Sequence, residues 1–128
     1  MRLTSPRTGA ALALAALLLV AVGCVPQSDL PSDCDASQVE RPAKLTDAGL
    51  DPDAIDVCTG QQVTITIDVQ RAGELHLHGY DDQVPEKEVA VGDQAELSFT
   101  ASHAGQFPLE LHTGGDEVEI AILTVHEH

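Results

Sequence analysis

From Ile55 to Val125 apolar and polar residues alternate in short runs, each closed by a turn signal. Ile55 and Val57 alternate with acids, and Val63, Ile65, Ile67 and Val69 alternate with Thr64, Thr66 and Asp68. A period of two is that of a strand with one buried face, so both runs predict strands. Gln70 to Gly73 turns into a strand over Glu74–Tyr80, and the polar loop opened by Asp81-Asp82 leads through Pro85 to a short strand around Lys87–Val91. Gly92-Asp93 turns into Glu96–Thr100, where Leu97 and Phe99 face inward, and His103-Ala104-Gly105 turns into Gln106–His112. Gly114-Gly115-Asp116 makes a hairpin into Glu117–Val125, which is apolar on both faces from Ile120 onward and so predicts a central strand. About seven short strands, with turn signals roughly every eight to twelve residues, predict an all-β sandwich. Ahead of them, Leu45–Leu50 predicts a short helical turn stopped by Gly49 and Pro52. Val25–Lys44 carries Pro26, Pro31 and Pro42 among Ser, Asp and Gln, and predicts a tether.

The first residues change how that pattern is used. Met1–Gly23 has a basic start in Arg2 and Arg7, an apolar run from Ala10 to Val22 and small residues before a cysteine, which predicts a secretion signal. The apolar run is shorter than the ~20 residues of a spanning helix. Val20-Ala21-Val22-Gly23-Cys24 resembles the lipobox of bacterial lipoproteins, which implies that Cys24 is lipid-modified and holds the mature chain on the extracytoplasmic face of the cell membrane. The expected organisation is a signal over 1–23, a tether over 24–44 and one domain over 45–128. Removing 23 residues from 128 leaves 105, with 4 basic residues against 21 acidic ones and a net charge of −17. So acidic a surface excludes nucleic acid as a partner and concentrates cations. In an oxidising compartment the remaining pair, Cys34 and Cys58, is expected to form a disulfide, worth roughly 3 to 4 kcal/mol in the chain-entropy model. Use of the two sulfurs as metal ligands is the weaker reading, since neither lies near the histidine-rich stretches in sequence.

Candidate chemistry lies on the outward faces of two of the strands. In Glu74-Leu75-His76-Leu77-His78 the leucines face one side and His76 and His78 the other, and Leu109-Glu110-Leu111-His112 repeats the pattern. If the two strands are neighbours, His76, His78 and His112 meet as ligands of one metal ion, with Glu110, Tyr80 or His103 as auxiliary ligands. Imidazole suits Cu(II) first and Zn(II) second. The alternative is a solvated outer face with no metal. His126 and His128 end the chain, where fraying is expected, and Asp81-Asp82 reads as a self-solvating loop. No G-x-S-x-G, H-E-x-x-H or phosphate-loop motif occurs, so the chain is expected not to be an enzyme.

Three segments, in order, resemble the cupredoxin family of small copper-binding β-sandwiches. They are Leu50 to Val63, with its Pro52, Ile55-Asp56-Val57 and Gly60 to Val63; the His76–Tyr80 region, where that family places its first copper histidine; and Ala104-Gly105-Gln106-Phe107, similar to the turn before the family's metal loop. The resemblance implies a Greek-key sandwich and a site near those histidines. A blue-copper centre also needs a thiolate and usually a methionine, yet Leu109–Gly115 holds no cysteine and the single methionine is Met1. The expectation is therefore a colour-poor, tetragonal copper site for metal storage or for delivery to a protein partner. The second reading is a metal-free scaffold at the envelope.

Overall fold

A computed structural model describes residues 30–128. The expected signal over 1–23, the lipidated Cys24 and the first part of the tether lie outside the described residues. Nine strands follow in order: β1 Gln38–Thr46, β2 Gly49–Asp51, β3 Ala54–Cys58, β4 Gln62–Val69, β5 Gly73–Leu77, β6 Lys87–Val89, β7 Gln94–Thr100, β8 Gly105–Thr113 and β9 Asp116–His126. Among the described residues there is no helix. One sheet has the order β2-β1-β4-β7 and the other β3-β9-β8-β5-β6. The two close over a core in which Val63, Ile65, Ile67 and Leu97 of the first meet Leu75, Leu77, Leu109, Leu111 and Leu123 of the second. The all-β sandwich is thus present, with the expected inward residues buried and β9 in the interior of its sheet.

Two strands were not expected. Strand β1 begins at Gln38, inside the segment read as tether, and the Leu45–Leu50 segment forms the end of β1, a turn and β2 rather than helix. The reason lies in how β1 is supported. It runs parallel to β4 from Gln38 to Leu45 but meets β2 only over Lys44, Leu45 and Thr46, so Pro42 sits on an open edge where a missing N–H breaks no ladder. Its polar residues are also anchored individually. The Arg41 guanidinium forks onto both Asp33 carboxylate oxygens at 3.0 Å and donates from Nε to the Asp56 carbonyl. That hydrogen bond holds the Asp33 carboxyl below its ordinary range.

The residues just before β1 belong to the folded unit. Cys34 and Cys58 form the expected disulfide. Beside it, Gln61 is 2% exposed; its Oε1 accepts the Cys58 N–H at 2.8 Å, and its Nε2 donates to the carbonyls of Asp33 and Ala36 at 2.7 and 3.0 Å. One amide therefore stitches the 33–36 turn to the bend between β3 and β4.

Candidate metal centre

The site is set by the register of three strands. Leu75 and Leu77 on β5 and Leu109 and Leu111 on β8 are buried, so the alternating residues emerge on the outer face of the five-stranded sheet. Across β5 and β8, Glu74 pairs with His112 and His76 with Glu110. Across β8 and β9, Glu110 pairs with Glu119 and His112 with Glu117. The outer face is thus a chequerboard of carboxylates and imidazoles. A bulge between Leu109 and Glu110 makes this possible: Leu109 pairs with Ala121 but Glu110 with Glu119, leaving Ile120 over. An unbroken register would have set apolar Ile120 and Val118 opposite Glu110 and His112. Gly73 lets β5 come close to β8 here, since a Cβ at 73 would stand 2.7 Å from Leu111 Cδ1 and 2.8 Å from the His112 carbonyl oxygen.

The ligand atoms of His76, Glu110 and His112 lie within 4.8 Å of one another. His78 stands just past the end of β5, where its N–H donates to the Pro108 carbonyl. Its ring leans on that of His76 at a centroid distance of 4.2 Å, and the His112 ring meets the His76 ring edge-on at 5.4 Å. A carboxylate only accepts, so Glu110 Oε2 takes a hydrogen bond from His78 Nε2 at 2.8 Å and a longer one from His112 Nε2 at 3.3 Å. The Glu110 hydrogen bond, helped by the charges of Glu110, Asp81 and Glu117, raises the His78 pKa above its ordinary value. Reciprocally, the bonds from His78 and then His112 lower the Glu110 pKa.

His76 is oriented by a residue whose role sequence reasoning missed. Its Nε2 bonds Asp81 Oδ1 at 2.5 Å, and Asp81 Oδ2 accepts the Gly79 N–H at 3.2 Å. Asp81 therefore works on the site instead of merely solvating its loop, and the His76 hydrogen bond lowers its pKa. The other nitrogen of His76, Nδ1, is buried and has no hydrogen-bond partner. An orphaned imidazole nitrogen beside a second imidazole and a carboxylate fits a divalent cation that accepts nitrogen and oxygen donors. Among the described residues no sulfur ligand is at hand, because Cys34 and Cys58 are bonded to each other.

Two of the three auxiliary ligands lie elsewhere. Tyr80 is fully buried and its hydroxyl donates to the His103 carbonyl at 3.2 Å. Its ring stacks on the His103 imidazole at 4.9 Å and packs against Phe99 and Phe107. Burial pushes the phenol pKa up, so it stays protonated and a poor ligand. Tyr80 and His103 are parts of an aromatic cluster, and of the auxiliary residues the structure brings only Glu110 to the histidines. The chain end is also held. His126 Nε2 bonds Asp56 at 2.7 Å and His128 stands 3.2 Å from Asp35, in place of the expected fraying.

No family model matches the chain, and no curated protein matches it in sequence. Solved structures do share its fold. A copper binding protein, in its apo form in solution, is 14% identical with a TM-score of 0.57, over 70% of this chain and 89% of that one. The metal binding domain of the Cu(I) exporting P-type ATPase CopA of Streptococcus pneumoniae D39 is 16% identical with a TM-score of 0.54, over 70% and 87%. A blue copper oxidase from Nitrosomonas europaea is 18% identical with a TM-score of 0.56, but only 39% of that longer chain is covered. The fold of this chain is the cupredoxin-like sandwich found in such copper proteins.

Proposed function

We propose that this chain is an extracytoplasmic, lipid-anchored binder of a divalent transition metal, Cu(II) before Zn(II), which stores the ion or hands it to a protein partner and catalyses no reaction. The observation that carries the reading is the convergence of the ligand atoms of His76, Glu110 and His112 within 4.8 Å on one sheet face. His78, bonded to the same Glu110 oxygen, is the fourth candidate ligand. The copper-binding descriptions of two solved neighbours support copper as the ion. With imidazole and carboxylate donors only, the bound Cu(II) is tetragonal and weakly coloured. The acidic surface raises the local concentration of any cation without selecting among them.

A specific observation favours the scaffold reading as second. His78, His112 and Glu110 satisfy one another by hydrogen bonds, and His76 does so with Asp81, all without an ion. Among the described residues, His76 Nδ1 is the one buried polar side-chain atom left without a partner.

Titration of the full-length protein in detergent with Cu(II) and Zn(II), followed by calorimetry and electron paramagnetic resonance, separates the two. One ion per chain with a nitrogen-rich tetragonal signal is expected. Heats and spectra identical to those of a His76→Ala/His78→Ala/His112→Ala variant would leave the scaffold.

A further inference from the structure

The lattice of acids and imidazoles continues beyond His112. On the far side of that ring, Nδ1 faces Glu74 Oε1 at 4.0 Å, and the ligand atoms of Glu74, Glu86 and His112 lie within 4.8 Å of one another. Glu86 reaches over from the loop before β6, its Oε1 3.5 Å from the unpartnered Nδ1 of His76. Independently of these distances, Glu74 and His112 line a cleft of about 480 Å³ that opens to solvent between Gly73, Glu88 and the Gly114-Gly115 turn. His76, by contrast, has a side chain only 15% exposed.

We propose that Glu74, Glu86 and His112 Nδ1 form a second, outer cation position that captures the ion from the cleft and passes it to the inner position of His76, Glu110 and His112. This inference rests on the metal-binding reading above. A neutral imidazole has one unprotonated nitrogen, so His112 serves one position at a time and the two positions hold a single ion in turn. Each state leaves the ring proton facing a carboxylate, within hydrogen-bond reach in the first and beyond it in the second. When Nδ1 binds the outer ion, Nε2–H faces Glu110 at 3.3 Å; when Nε2 binds the inner ion, Nδ1–H faces Glu74 at 4.0 Å. In the transfer the metal–Nδ1 bond breaks and the metal–Nε2 bond forms. Nε2 gives its proton to water, and Nδ1 takes one from water in the cleft, so protons balance. The direction follows from the donors, since two imidazoles hold Cu(II) more tightly than one imidazole among carboxylates.

Stopped-flow mixing of Cu(II) with the full-length protein tests this. Glu74→Gln/Glu86→Gln is compared with Glu40→Gln/Asp47→Asn, which removes the same charge at exposed positions of β1 and the turn after it. Association in the first variant is expected to be about tenfold slower than in the second, beyond what loss of general steering explains. Final affinity should differ by no more than about threefold, because the inner ligands remain. In a second measurement, His76→Ala/His78→Ala/Glu110→Gln, which leaves His112 alone of the inner ligands, should retain a weaker Cu(II) resonance with one nitrogen ligand, and adding Glu74→Gln/Glu86→Gln should abolish it. Equal association rates in the two charge variants, with wild-type protein binding Cu(II), would overturn the outer position and leave the inner one standing. A wild-type protein that binds no Cu(II) removes both.

Discussion

Glu110 is the residue on which the site turns, since His78 and His112 both bond its Oε2 and His76 lies directly across the strand pair. Replacing it with Gln keeps the shape but removes the charge, and should weaken Cu(II) binding by about 10- to 100-fold in a calorimetric titration. His76→Ala should cost more affinity than His78→Ala, because His76 belongs to the converged trio while His78 reaches the ion only through a ring 44% exposed. The same carboxylate shapes the pH dependence of the metal-free protein. The raised pKa of His78 contributes stability that is full below its ordinary value of 6.5 and is lost as pH rises through the folded value. The lowered pKa of Glu110 contributes stability that is full above its ordinary value of 4.5 and is lost as pH falls through the folded value. The pair therefore supports the fold most between 4.5 and 6.5, by a modest amount because His78 is open to solvent. Thermal melts across that range should show a broad maximum in wild type that flattens in Glu110→Gln. Metal binding has the opposite preference, since protons compete for the imidazoles, and should weaken as pH falls through the raised folded value of His78.

At the level of elements, two close approaches hold the site strands. Gly79 has φ of +81°, and a Cβ there would stand 2.5 Å from Phe107 Cδ1, so Gly79→Ala sets backbone strain and a ring clash against the turn that carries His78. A loss of about 1–3 kcal/mol is expected in denaturant melts. Gln61→Ala leaves the Cys58 N–H and two carbonyls without their partner, and should cost about 1–3 kcal/mol although it touches no site residue. These elements also show where the sequence was readable. Strands β5 and β8 follow from alternation, as with Leu75 and Leu77 against His76, because one face is buried and the other wet. Strand β1 has no such signature: Arg41 and Pro42 are tolerated at an open edge, where anchoring by Asp33 and parallel pairing to β4 replace apolar alternation. His76, His112 and Glu110 were legible as outward residues. The part of Asp81, and the placement of Glu74 and Glu86, were not, because they depend on a register and a loop path that no local pattern encodes.

On the scale of the whole molecule, the Cys34–Cys58 bridge closes a loop of sequence separation 24 and ties the chain before β1 to the end of β3. Reduction, or a Cys34→Ser/Cys58→Ser change, should lower stability by roughly 3 kcal/mol. If the bridge serves only the scaffold, Cu(II) affinity measured well below the melting point should stay as it was. Acidity acts over the same range: with 21 acidic residues in the chain, the rate of cation capture should drop steeply between low and physiological salt. The chequerboard face has one more consequence. Its imidazoles and carboxylates hang from strands whose course is fixed from behind by Leu75, Leu77, Leu109 and Leu111. Exchanging protons for a metal ion on such a face changes its electrical character and leaves its contour alone. On the delivery reading proposed above, a recipient would have no opened groove or moved loop to read, and would tell a laden molecule from an empty one by a local weakening of the negative field.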